Sequence, residues 1–108
     1  NPEQVDEILI RNVNDGEDKM ITSINLVEDL FKCMEQVQYQ SNNTNITDPL
    51  GWDYVIEING TTKSYTIWIG SYIVVEEIFD DEESSISYKA SDMEQLINAL
   101  NTFYVTIE

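Results

Sequence analysis

The chain of 108 residues has no histidine, one cysteine and only five basic residues. Without histidine it lacks both the usual general base of enzyme catalysis and the most common transition-metal ligand. The single cysteine, Cys33, excludes an internal disulfide and a metal site built from several cysteines. We find no catalytic motif, no cofactor motif and no apolar run long enough to span a membrane. We therefore expect a protein that is not an enzyme and that uses no cofactor and no metal.

The scarcity of basic residues also restricts the partners. The chain has 21 acidic residues against five basic ones, which gives a formal net charge of −16. Binding to nucleic acid or to an anionic membrane depends on Lys and Arg side chains that neutralise phosphates, so the composition argues against direct binding to either. Cationic partners, either divalent ions or a basic protein, are favoured instead.

The residues that are present suffice for one folded domain. Apolar residues make up 42% of the chain, an ordinary fraction for a globular protein. A chain of this length buries about two-thirds of its unfolded surface, which is enough for one core. We therefore predict a single domain over residues 1–108.

The central stretch, residues 52–79, is typical of three antiparallel strands joined by two tight turns. Asn59-Gly60 is a strong hairpin signal, and Gly70-Ser71 can form the second two-residue turn. Pairing through the first turn places Ile58 opposite Thr61 and Ile56 opposite Lys63. Since side chains alternate along a strand, the pairing predicts two faces. The core face would carry Tyr54, Ile56, Ile58, Tyr65, Ile67, Ile69, Tyr72 and Val74, and the other face Val55, Glu57, Thr62, Ser64, Thr66, Trp68, Ile73 and Val75.

Further strands and two helices flank this centre. Alternation predicts strands over 5–13, 19–22, 85–89 and 104–107, with a polar loop over 39–50. One helix is expected to begin near Ser23 or Asn25, and a second follows a capping box at 91–94 with Ser91 as the cap. Each helix has one apolar stripe. The stripes are Ile24, Val27, Leu30, Phe31, Met34 and Val37 in the first helix, and Met93, Leu96, Ile97, Leu100 and Phe103 in the second.

Two such helices and several alternating strands predict an α+β fold. We expect a mainly antiparallel sheet of about five to seven strands, with both amphipathic helices packed on one face.

Trp68 is the centre of the predicted partner-binding patch, which consists of Trp68, Val55, Glu57, Ile73 and Val75. Apolar and aromatic side chains rimmed by polar ones are typical of interaction sites, and Glu57 with the neighbouring Asp53 would favour a basic partner. Alternatively, the loop over 39–50, a terminal strand or a second helix covers this patch.

Two other features of the sequence could be either a functional site or a purely structural element. The acidic run Glu76, Glu77, Asp80, Asp81, Glu82 and Glu83 could bind Ca²⁺, but it lacks the alternating ligands and central glycine of an EF-hand loop, so a solvated turn is favoured. Cys33 could be a nucleophile, but no basic cluster is available to lower its pKa, so we interpret it as a small hydrophobic residue beside the first helix stripe.

The order of these features also suggests a relationship. A leading strand and a helix introduced by Ile21-Thr22-Ser23 are followed by three aromatic-containing segments and a closing helix over 96–100. The three segments are Trp52-Asp53-Tyr54-Val55-Ile56, Tyr65-Thr66-Ile67-Trp68-Ile69 and Ile86-Ser87-Tyr88. In this order the chain resembles small extracytoplasmic lipoprotein-type domains of Gram-positive bacteria, which occur alone or appended to membrane-bound regulators. The resemblance implies a non-catalytic domain, although no lipobox cysteine is visible.

Two functional hypotheses follow. The first is an extracytoplasmic or cell-surface binding or sensing module that recognises a protein or peptide through the Trp68 patch. The chain begins with Asn1-Pro2 and not with methionine, so we expect that a secretory or lipoprotein leader was removed or that the chain is an excised fragment. The second hypothesis is a cytoplasmic acidic inhibitor, either an immunity protein that blocks a basic toxin or a mimic of DNA phosphates, because dense carboxylates steer association with basic sites.

Overall fold

A computed structural model describes residues 5–41, 52–60 and 63–107, with the backbone alone at positions 5 and 6. These residues form a seven-stranded antiparallel sheet and two helices, which confirms the predicted α+β fold. The elements are β1 (Val5–Asn12), β2 (Glu17–Ile21), α1 (Ile24–Glu35), β3 (Tyr39–Ser41), β4 (Trp52–Gly60), β5 (Lys63–Gly70), β6 (Ile73–Phe79), β7 (Glu82–Ala90) and α2 (Met93–Tyr104).

The strand order in the sheet is β2-β1-β4-β5-β6-β7-β3. Because β2 and β3 lie at opposite edges, α1 crosses the whole sheet between them. Both helices pack on the same face, where their apolar stripes meet the inward residues of the strands. The fully buried side chains of this core include Ile8, Ile10, Leu30, Tyr54, Ile56, Ile69, Ile73, Leu96 and Leu100.

The first hairpin keeps the predicted faces but not the predicted pairing. Ile56 lies opposite Ile67 and not Lys63, since the paired residues nearest the turn are Asn59 and Ser64, with four residues between them where two were predicted. The partner of Ile56 moves by four positions, an even number, so the side chains of the described residues stay on their predicted faces, while Thr62 lies outside those residues. The observed register aligns isoleucines with one another and leaves Lys63 exposed at the strand end, where its Nζ lies 3.8 Å from Glu77 Oε1.

The second hairpin reverses the predicted faces of β6. Ile69 pairs with Ile73, so three residues separate the paired positions where two were predicted. A change of one residue turns every side chain of the following strand to the opposite side. Ile73 and Val75 therefore pack in the core beneath the helices, and their predicted place on the Trp68 side was wrong. Val74, predicted in the core, pairs with Trp68 on the other face.

The acidic run forms a tight turn between β6 and β7. Asp80 and Asp81 have φ values of 53° and 64°, the left-handed conformation that a two-residue hairpin turn requires at both central positions. Glu82 and Glu83 already belong to β7, which extends from residue 82 to 90 and is longer than the predicted strand over 85–89.

The helix caps are close to their predicted positions. Ser23 caps α1, and its Oγ accepts from the backbone N–H of Leu26 at 3.2 Å. In α2 the cap is Asp92, whose Oδ1 accepts from Gln95 N at 3.0 Å, so the predicted cap at Ser91 was wrong by one residue. Ser91 instead exchanges two hydrogen bonds with Gln38, of 2.7 and 3.1 Å, which join the entry of α2 to the exit of α1.

Three other sequence predictions require correction. Residues 39–41, predicted within a loop, form the edge strand β3 beside β7, while most of that loop, residues 42–50, lies outside the described residues. The predicted strand over 104–107 is the end of α2 followed by a turn. Ile24 is 59% exposed, although it was assigned to the apolar stripe of α1, and Cys33 takes a place in the core.

Candidate functional site

The sheet face opposite the helices is the candidate site, and we call it the Trp68 face. At its centre, three residues lie side by side on neighbouring strands: Val55 on β4, Trp68 on β5 and Val74 on β6. Val55 and Trp68 are half-buried, and Val74 is buried. Since the β-branched residues stand directly opposite the indole, they fix its position on the sheet.

An aromatic cluster of Trp52, Trp68 and Tyr72 extends this row. The ring centroids of Trp52 and Trp68 lie 5.9 Å apart with an interplanar angle of 49°, and those of Trp52 and Tyr72 lie 5.6 Å apart at 70°. A register shift between Trp52 and Tyr54 places Trp52 beside Trp68, because the extra residue Asp53 interrupts the alternation of β4. All three rings are half-buried, so part of each ring is accessible.

The indole of Trp68 has an unusual hydrogen-bond status. Its Nε1 atom is buried and has no hydrogen-bond partner among the described residues. Buried donors are nearly always paired, and one without an acceptor costs about 1–3 kcal/mol. Within the part of the chain that the structure describes, the Trp68 face therefore carries one buried donor without an acceptor.

Two carboxylates stand beside the cluster. Thr66, two residues before Trp68 on β5, pairs with Glu57 on β4 and with Glu76 on β6. The side chains of both glutamates thus flank the short Thr66 side chain on the Trp68 face. Within the described ranges, neither glutamate takes part in a salt bridge.

Arg11 is a basic side chain beside this site, opposite Val55 on the adjacent strand β1. Its Nε donates to Asp18 Oδ1 at 2.6 Å and its terminal nitrogen to Asp18 Oδ2 at 2.9 Å, a two-point pair across β1 and β2. The hydrogen bond from Arg11 lowers the pKa of the Asp18 carboxyl. Since the guanidinium is directed towards Asp18, it does not form a salt bridge with Glu57.

The helix layer offers a concave region between α1 and α2. This groove has a volume of about 790 Å³ and is lined mainly by polar residues, among them Asp29, Lys32, Gln95 and Asn98. Cys33 also lines it, but its Sγ donates to the carbonyl of Ala99 at 3.6 Å, and burial, followed by the charge of Asp29, raises the pKa of the thiol. A raised pKa leaves less of the reactive thiolate, so the groove lacks an activated nucleophile.

Neither a metal site nor a membrane span emerges from the described residues. No three carboxylate or thiol groups among them are placed to hold a metal ion together, and the acidic residues from Asp80 to Glu83 form the β6–β7 turn and the start of β7. Both described helices are 12 residues long, and neither has the length and apolar character needed to cross a bilayer.

The structure brings together part of the predicted patch and adds residues that sequence reasoning missed. Trp68, Val55 and Glu57 share one face as predicted, whereas Ile73 and Val75 lie in the core. The additional members are Trp52, Tyr72, Val74 and Glu76. The position of Trp52 depends on the register shift in β4, and those of Tyr72, Val74 and Glu76 depend on the three residues between Ile69 and Ile73. The sequence Gly70-Ser71 is compatible with a turn of either length, so it could not predict this spacing.

Comparison of the chain with protein-family models, with curated proteins and with solved structures gave no match. A function for the Trp68 face must therefore be inferred from its aromatic cluster, its unpaired indole N–H and its two glutamates.

Proposed function

We propose that this protein is a non-catalytic module that binds a basic protein or peptide through the Trp68 face. The observation that supports the proposal is the aromatic cluster on the sheet face opposite α1 and α2, beside Glu57 and Glu76. Tryptophan and tyrosine are the residues most enriched among those that dominate binding energy, because their large rings bury apolar area and lose little conformational entropy.

Electrostatics support a basic partner. The net charge of −16 attracts cationic proteins over a distance of about one Debye length and repels other acidic ones. Arg11 forms its salt bridge with Asp18 and acts on Glu57 only through its charge, so neither Glu57 nor Glu76 is in a salt bridge among the described residues, and both can accept cations of a partner. Long-range charge then accelerates association, and the aromatic cluster supplies short-range affinity.

We further propose that the module acts outside the cytoplasm or at the cell surface. The support for this location is the resemblance of the sequence to extracytoplasmic lipoprotein-type domains. In such a setting the module would recognise or sense a protein or peptide presented near the membrane.

A second candidate, an acidic inhibitor of a basic toxin or nucleic-acid-binding protein, is favoured by the exposed carboxylates. They occur on α1, on α2, in the β6–β7 turn and at the β1–β2 hairpin, so they are numerous but not concentrated on one helix face, and this spread argues against the inhibitor. An inhibitor of this kind would act in the cytoplasm, and its binding would depend on charge more than on Trp68.

Capture of partners from lysate and membrane fractions of the source organism distinguishes the two candidates. The bait proteins are wild type, Trp68→Ala and the control Phe79→Ala, which removes an exposed aromatic ring from the helix side of β6. Circular dichroism verifies that each variant is folded. We expect a basic partner that wild type and the control retain and Trp68→Ala loses, with binding by the purified pair at least about tenfold weaker for Trp68→Ala.

Loss of Trp68 without loss of partners would contradict the proposal. If all three proteins retain the same partners, and modest salt elutes them from all three, the acidic surface carries recognition and binding through the Trp68 face is wrong. The identity of the partner then decides whether the protein inhibits a basic toxin.

A further inference from the structure

We infer that the Trp68 face binds an arginine side chain of its partner, with the guanidinium against Trp68 and between the carboxylates of Glu57 and Glu76. This inference rests on the proposed function, because it specifies which group of a basic partner the face recognises. Two observations support it: the negative charges of Glu57 and Glu76, and the spacing of strands β4, β5 and β6.

The spacing suits one planar cation. Glu57 and Glu76 each pair with Thr66, so they stand on the two strands on either side of it. Neighbouring strands are about 4.8 Å apart, which puts the two glutamate backbones about 10 Å from each other with a short side chain between them. Trp68 is the next residue of β5 on the same face, and its Cα lies diagonally about 7–8 Å from each glutamate Cα.

Arginine matches this arrangement better than lysine does. A guanidinium is planar, stacks on an indole and presents five N–H donors, so it can contact the ring and both carboxylates at once. A lysine ammonium is compact and strongly hydrated, and it would reach one carboxylate as a point charge. The apolar stem of the arginine would lie along Val55, which is half-buried and stands opposite Trp68 on β4.

The basic residues of the chain itself leave this position free within the described ranges. Arg11 is held by Asp18, and Lys63 lies near Glu77 on the helix side of the sheet. Lys19 donates to backbone carbonyls at the end of α2, and Lys32 belongs to α1. Lys89 is on the Trp68 side of β7, but it lies four residues along the strand from Ser85, the residue opposite Glu76. The two carboxylates therefore have no salt-bridge partner among the described residues, and a cation brought by another molecule would provide one.

The test titrates the full chain with three blocked pentapeptides that have arginine, lysine or uncharged citrulline at the centre of four glycines. The readout is the indole N–H signals of Trp52 and Trp68 in ¹H–¹⁵N spectra, assigned with Trp68→Phe. We expect the arginine peptide to shift the Trp68 signal saturably and to bind about threefold to tenfold more tightly than the citrulline peptide. In the double variant Glu57→Gln, Glu76→Gln this preference should disappear.

A matched double variant, Glu28→Gln, Glu35→Gln, removes the same charge from the exposed surface of α1 and should bind like wild type. Equal shifts with arginine and citrulline peptides, or an equal loss of binding in both double variants, would overturn the inference. A captured partner whose binding requires Trp68 could bind the Glu57→Gln, Glu76→Gln protein as tightly as it binds wild type. That result would contradict arginine recognition by the two glutamates, but it would still support protein binding by the Trp68 face.

Discussion

Tyr54 is the largest fully buried side chain of the core, and its hydroxyl is part of a polar contact between sheet and helix. It donates to Asn101 Oδ1 of α2 at 2.5 Å and accepts from Asn12 Nδ2 of β1 at 3.4 Å. The ring also packs against Tyr104, with centroids 5.9 Å apart in an edge-to-face arrangement. One side chain thus joins β1, β4 and the last turns of α2.

We predict that Tyr54→Phe lowers the free energy of unfolding by about 1–2 kcal/mol at neutral pH, because Asn12 and Asn101 lose a partner. Burial raises the pKa of Tyr54 to about 12 from its ordinary value of 10.0. The unfolded state therefore loses its proton first as the pH rises, and wild type loses stability between pH 10 and about 12. In urea unfolding experiments, the difference in unfolding free energy between wild type and Tyr54→Phe should therefore decrease over this pH range.

The ultraviolet absorbance of tyrosinate provides the control for this prediction. In the folded state, wild type should show one more late-titrating tyrosine than Tyr54→Phe does. Identical titration curves for the two proteins would mean that the hydroxyl of Tyr54 is not protected from ionisation.

Lys19 connects β2 to the end of α2. Its Nζ donates to the carbonyls of Tyr104 and Ile107, both at 3.1 Å, and lies 4.2 Å from the centroid of the Tyr104 ring. A cation is favourable at a helix C-terminus, where backbone carbonyls lack partners. We predict that Lys19→Met destabilises the protein by about 1–3 kcal/mol in chemical denaturation. Lys89→Met, at an exposed position on β7, should change stability by less than about 0.5 kcal/mol, and equal effects would contradict a specific role for Lys19.

At the scale of elements, hairpin connections decide which residues meet. Asp80 and Asp81 both adopt positive φ, which is unfavourable for residues with a side chain. We predict that Asp81→Gly stabilises the protein by about 0.5–1 kcal/mol, because glycine adopts this conformation without steric cost. Thermal unfolding measures the effect, and Asp81→Asn serves as the control for the removed charge. A lower stability of Asp81→Gly than of Asp81→Asn would contradict the turn conformation.

The two preceding hairpins show how much of this fold could be predicted from the sequence. Alternation of apolar residues correctly assigned Ile56, Ile67 and Ile69 to the core although the turn length was wrong, since an even shift preserves the face. The odd shift after Gly70 moved Ile73 to the core and Val74 to the Trp68 face. Alternation within a strand is a local property, whereas the number of residues in a turn depends on how both strands pack in the finished sheet.

The candidate site was accordingly predicted in part. Trp68, Val55 and Glu57 were placed together because they follow from alternation in β4 and β5. Trp52 and Tyr72 were missed because they join the cluster through an irregularity in β4 and a turn. Irregular backbone of this kind places side chains where a regular strand would not, which explains why sequence periodicity could not identify the complete cluster.

At the scale of the whole molecule, the excess of acidic residues opposes folding. The net charge is −16, and the salt bridges between described residues, Arg11–Asp18 and Lys63–Glu77, are both exposed and contribute little. Compaction brings like charges together, so self-repulsion destabilises the folded state. Raising NaCl from about 20 mM to about 0.5 M shortens the Debye length to less than about 5 Å and weakens this repulsion.

We therefore predict that the same increase in NaCl raises the thermal unfolding midpoint by about 4–8 °C, equivalent to about 1 kcal/mol for a domain of this size. The matched control is the double variant Glu82→Gln, Glu83→Gln in the exposed acidic run. The net charge of this variant is less negative than that of wild type. It should be more stable than wild type at low salt and gain less from added NaCl, because less repulsion remains to be screened. If both proteins gain equally, salt acts through general solvation of the surface, and the net charge does not limit the stability of the fold.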